Sequence, residues 1–142
     1  LYEAADYRAI PFMIEEGQDF AELFPGLPNP GYAIATEHKA LYHALCVVAG
    51  NFPQLLWHSV ATQLQAEMNV PPEVLSAYLQ RSLDNFIKDP DGALTGPLAR
   101  QDQTTLQRNM AALGSAPLAR LYEAFVAFHR ETRPSTQEQR AS

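Results

Sequence analysis

The segment Ala93-Leu94-Thr95-Gly96-Pro97-Leu98-Ala99-Arg100-Gln101-Asp102 gathers a hydroxyl, a glycine, a proline, a guanidinium and a carboxylate within ten residues. It then runs into Thr104 and Thr105. A loop opening onto a helix start offers backbone N–H groups and hydroxyls to an anion or a polar substrate group. Arg100 adds a planar fork that suits a carboxylate or phosphate. Asp102 reads as the cap of the following helix rather than as a catalytic acid. The competing reading is a plain turn between two helices, with Arg100 solvated or ion-paired.

His43 and Asn51 form the second candidate group. They lie eight residues apart, roughly 80° around an ideal helix axis, so both can face one cleft. An imidazole that titrates near neutrality can pass a proton, and an amide beside it can orient the acceptor. The alternative is a hydrogen-bonded histidine in a helix interface. Other chemistry is sparse. Cys46, three residues beyond His43, is a nucleophilic partner or a buried structural thiol. Ser59, Ser76 and Ser82 lack a nucleophile elbow. His38, His58 and His129 show no ligand spacing, so no metal site is expected.

The elements that must position these residues follow from periodicity. Ile10, Phe12 and Ile14 alternate as in a short strand, with Pro11 suiting an edge. Residues 18 to 24 suit a short helix burying Phe20, Leu23 and Phe24. Pro25-Gly26, Pro28 and Pro30-Gly31 enforce a loop before a second strand over residues 31 to 35. Two short strands do not make a stable sheet alone, so they read as the end of a larger one. From Thr36, a plausible cap, apolar residues recur at helical steps from Leu41 to Met68. Pro53 interrupts that run at a cost of roughly 3 kcal/mol, which predicts a kink or two helices meeting near Gly50 to Pro53. Pro71-Pro72 opens a further helix that ends in Asp89-Pro90-Asp91-Gly92. Asp102 and Gly114 bound the next helix, and Ser115 is expected to cap the last. The expected organisation is residues 1–35 with two strands and a short helix, a helical domain over 36–131, and a flexible tail over 132–142. The fold class is mainly α.

Composition narrows the function classes. The 142 residues carry a net charge of −6 and no basic face suited to a phosphate backbone, so nucleic acid is not an expected partner. No apolar run reaches the roughly 20 residues needed to span a bilayer. One cysteine fits a reducing, cytoplasmic setting. The chain begins at Leu1 with its pattern already formed, which is expected of a piece of a longer protein.

Tyr42-His43-Ala44 with Asn51, and Leu94-Thr95-Gly96-Pro97 with Arg100, Asp102 and Thr105, together resemble one family. It is the Rossmann-like proteins whose C-terminal half is called domain of unknown function 2520. The likeness runs from the Ile10 strand to the Tyr122 helix. Two positions depart from the pattern: Gln101 stands where the family usually has Gly, and Asn109 where it usually has His. The resemblance implies a preceding Rossmann-like half, with residues 1–35 as its end. It implies an NAD or NADP-dependent oxidoreductase, similar in layout to pyrroline-5-carboxylate reductase, 6-phosphogluconate dehydrogenase and ketopantoate reductase. It also implies that the helical half supplies substrate contacts and a homodimer interface. No Gly-x-Gly-x-x-Gly fingerprint is present, so the chain alone is not expected to bind the cofactor.

Two functions are therefore expected. In one, the chain is the substrate-binding and dimerisation half of an oxidoreductase acting on a small molecule. His43 and Asn51 are then catalytic, and Thr95, Gly96, Pro97, Arg100 and Thr105 bind substrate. In the other, it is a non-catalytic helical dimerisation or scaffold module.

Overall fold

The computed structural model describes residues 3–132. The tail expected over 132–142 therefore lies, Thr132 apart, outside the described residues. The chain divides into two compact units, Leu1–His58 and Ser59–Ser142, and each is described by itself.

The first unit opens with a helix that periodicity does not announce, α1 (Ala4–Ala9), started where the Asp6 carboxylate accepts the Glu3 N–H at 2.8 Å. Strands β1 (Phe12–Glu15) and β2 (Gly31–Ile34) flank a single helical turn, α2 (Phe20–Leu23). The strands pair in parallel, with Phe12 opposite Gly31 and Glu15 opposite Ile34. Parallel neighbours need a crossover connection, which α2 and the proline-rich loop behind it supply. Asp19 starts α2 by accepting the Ala21 N–H at 2.7 Å. Asn29 then ties the loop back, donating to the carbonyls of Tyr7 and Ile10 at 2.6 and 3.0 Å.

Phe20 is buried, and its ring centroid lies 5.1 Å from that of Phe12 and 5.4 Å from that of Phe24. That packing demands Gly31, because a Cβ there would sit 2.5 Å from the Phe20 Cβ. Leu23 and Phe24, expected in the core with Phe20, are instead 46% and 44% exposed. A single helical turn has one inward direction, and Phe20 occupies it.

Helical backbone then runs from Thr36 to Met68. A 3-10 turn (Thr36–His38) leads into α3 (Lys39–Cys46), a π-helical turn (Val47–Asn51) and α4 (Phe52–Met68). Thr36 does not cap; it lies inside the 3-10 turn, which has no side-chain cap. Lys39 begins α3 and pairs with Glu15 of β1. Where a kink or a meeting of two helices was expected near Gly50 to Pro53, the π turn joins α3 to α4. The Phe52 N–H reaches back five residues to the Val47 carbonyl. This wider turn eases the clash of a proline ring with the carbonyl four residues earlier. Gln54 adds a local side-chain bond, donating to the Gly50 carbonyl at 3.1 Å.

The second unit contains a 3-10 turn (Pro72–Leu75), α5 (Ser76–Lys88), α6 (Gly96–Arg100), α7 (Gln103–Leu113) and α8 (Pro117–Thr132). Helices α7 and α8 pack through buried Leu106 and Val126. Asn109 donates to the Tyr122 hydroxyl across that contact at 3.1 Å. Gly114, at φ +61°, ends α7 as expected. Ser115 does not cap α8, which begins at Pro117. The apolar side of α5 stays open, with Tyr78 and Ile87 about 70% exposed. The fold is mainly helical with two short parallel strands, in agreement with the pattern read from the sequence.

Candidate functional site

In the second unit, the Thr95–Thr105 segment folds into a turn that its own residues fix. Thr95 is extended, and Gly96 takes φ +81°, a conformation that side-chain-bearing residues adopt only with strain. Pro97 sits in the first turn of α6, where a missing N–H costs nothing. The helix lasts five residues. It closes when the Gln101 N–H meets the Leu98 carbonyl at 3.1 Å and the Asp102 N–H meets the Pro97 carbonyl at 2.9 Å. This is a Schellman closure, and it puts Gln101 at φ +57° in the left-handed seat that glycine normally fills. The tight turn therefore survives the departure at Gln101, at a strain of about 1 kcal/mol.

Asp102 then caps α7. Its Oδ1 accepts the Thr105 N–H at 3.0 Å, and its Oδ2 accepts the Thr105 hydroxyl at 2.6 Å. These bonds, hydroxyl first and backbone second, hold the Asp102 carboxyl below the usual carboxylate range, with help from the Arg100 and Arg108 charges. Asp102 is thus an anionic cap and not a proton donor. The Thr105 proton is committed to it, which leaves the Thr105 oxygen as an acceptor. Arg100 is exposed at the end of α6.

A cavity of about 230 Å³ opens beside Thr95, lined also by Asn85, Lys88, Asp89, Gly92 and Ala93. The Asp89 Oδ1 accepts the Gly92 N–H at 3.1 Å and shapes its rim. Lys88 lines the same cavity as Thr95. Sequence reasoning passed over Lys88 and Asn85. The available signal was a lysine in the last turn of a helix seven residues ahead of Thr95.

In the first unit, His43 lies on α3 and Asn51 ends the π turn, and both are exposed. A π turn adds a residue to the winding and sets the register back by up to about 100°. On a regular helix the pair would stand roughly 80° apart, and the π turn alters that register. Single π turns occur often at functional sites. Cys46, also exposed, partners Tyr42 rather than His43. Its hydrogen bond with the phenol is the main cause that raises the Tyr42 pKa. Among the described residues no cluster of His, Cys, Asp and Glu could hold a metal ion, and no helix is long and apolar enough to cross a membrane.

A helical domain carrying a short parallel strand pair and a capped, glycine-dependent Thr-Gly-Pro turn is the class that these features define. Residues 11–127 match the family described as domain of unknown function 2520, and the chain belongs to that family. No curated protein matches it by sequence. A solved structure that is similar is that of a "putative NADP oxidoreductase" from Bacteroides fragilis. It is 26% identical, with a TM-score of 0.73 over 89% of this chain and 51% of that one. The chain thus spans about half the length of this relative.

Proposed function

We propose that the chain is the helical, substrate-binding and dimerising half of an NADP-dependent oxidoreductase. In this reading it works with a Rossmann-like domain that holds the cofactor. The observation that carries the reading is the likeness, over 89% of this chain, to half of a protein described as a "putative NADP oxidoreductase". NADP, or NAD in its place, supplies or takes the hydride when bound to that other domain.

Each unit contributes separately. The Thr95-Gly96-Pro97 turn offers its hydroxyl and backbone N–H groups to an anionic group of a small-molecule substrate, with Arg100 as the charge and Thr105 as an acceptor. His43 delivers or takes the proton that accompanies hydride transfer at a carbonyl or imine, and Asn51 orients that group. The open apolar side of α5, including Tyr78, Phe86 and Ile87, suits burial against a second copy. The lone Cys46 is consistent with a cytoplasmic protein.

Calorimetric titration of NADPH into the full-length product of the encoding gene tests the reading. Saturable binding is expected there and not in the 142-residue chain alone. Absence of heat in the full-length product would leave a non-catalytic helical dimerisation module as the better reading.

A further inference from the structure

We propose that the cavity between the α6–α7 turn and the last turn of α8 binds a small carboxylic acid with an apolar body. It is distinct from the cavity beside Thr95 and does not depend on the oxidoreductase reading. Its volume is about 160 Å³. A void of roughly 150 Å³ accommodates benzene, so the ligand has the size of one ring or a short branched chain.

The floor is apolar. Leu106 and Val126, which line it with Leu98, are 3% and 6% exposed and are the best-buried among the described residues of this unit. The rim is polar, carrying Gln101, Gln103, His129 and Arg130. Among the described residues no carboxylate lines the cavity, in a chain where acidic residues outnumber Lys and Arg by 16 to 10. Glu123 lines the neighbouring hollow on α7 and α8, which shares Gln103 and Arg130. Arg130 is fixed at the rim because its Nη2 donates to the Gln103 Oε1 at 2.8 Å. A guanidinium has five N–H donors, so four remain to receive a carboxylate in a planar, paired fashion.

A second observation concerns the backbone of one lining residue. Gln101 holds a left-handed conformation that favours glycine. Strain kept at one residue is intelligible where its side chain does something a glycine could not. Here Gln101 lines the cavity, and its side chain carries an amide that glycine lacks. The apolar floor selects a hydrocarbon body, Arg130 selects an anionic head, and the amides of Gln101 and Gln103 accept or donate beside it.

The test is titration of the full chain with benzoate, followed by NMR, alongside benzyl alcohol and inorganic phosphate. Saturable benzoate binding is expected, with shifts confined to α6, α7 and α8 around the cavity. Benzyl alcohol and phosphate should each bind at least tenfold more weakly, since each lacks one half of the recognised pattern. R130Q should weaken benzoate about tenfold while the circular dichroism spectrum is unchanged. Q101G should raise the melting temperature yet weaken benzoate severalfold, a split that a purely structural glutamine would not give. The proposal is overturned by an absence of saturable binding, by benzyl alcohol or phosphate matching benzoate, or by folded R130Q and Q101G both binding as tightly as the parent chain.

Discussion

The Thr95–Thr105 turn and the π turn beneath Asn51 both carry candidate functional side chains, but they are held in opposite ways. The first is over-determined. A positive-φ glycine, a Schellman closure, a left-handed glutamine and a doubly bonded Asp102 all fix one backbone path. The second has a side-chain bond from Gln54 to the Gly50 carbonyl, and Val48 within it and Phe52 just after it are about half exposed. The lesson is about preorganisation. A site built on the capped turn is ready before a ligand arrives, whereas the helical stretch bearing His43 and Asn51 depends on whatever packs against it.

Substitutions that remove one support at a time sharpen this contrast. The largest effect is expected for Gly96→Ala, which forces a side chain into φ +81° and should cost about 1–2 kcal/mol in denaturant unfolding. Asp102→Ala comes next and should lower the melting temperature by on the order of 5 °C at neutral pH. Its effect is pH-dependent with a defined sign. The folded-state pKa of Asp102 is depressed, so the stabilisation is complete above the unfolded aspartate value of about 3.9. It is lost as pH falls through the lower, folded value. The difference in stability between the parent chain and Asp102→Ala should therefore be constant near neutrality and shrink in strong acid. Gln101→Gly should move the other way and stabilise by roughly 0.5–1 kcal/mol, because it relieves left-handed strain.

The smallest effect is expected in the first unit. Gln54→Ala removes an exposed bond and should cost no more than about 0.5 kcal/mol. A loss as large as that of Gly96→Ala would erase the contrast. Amide hydrogen exchange gives a local check, with slower exchange expected for Thr105 than for Phe52.

The sequence made the capped turn readable because its residues act locally. Asp102 ahead of Thr105, and Gly114 after Leu113, are signals that need no tertiary partner, and both perform as expected. The strand pair was readable for the same reason, from the alternation of Ile10, Phe12 and Ile14. The π turn was not. Pro53 announces a missing donor but does not say whether the helix breaks, bends or widens. Helix α1 escaped notice because six residues rich in alanine carry no apolar period. Lys88 escaped because its place beside Thr95 depends on how the intervening Asp89–Gly92 turn folds back. Gln101 was visible as a departure from the family pattern, but not as a residue that keeps the glycine conformation without being glycine.

The most direct test of the proposed function is a crystal structure of the full-length gene product grown with NADP. The account predicts that the nicotinamide faces the Thr95–Arg100 turn across a gap that one small substrate would fill. A nicotinamide directed elsewhere, with that turn facing solvent, would contradict it.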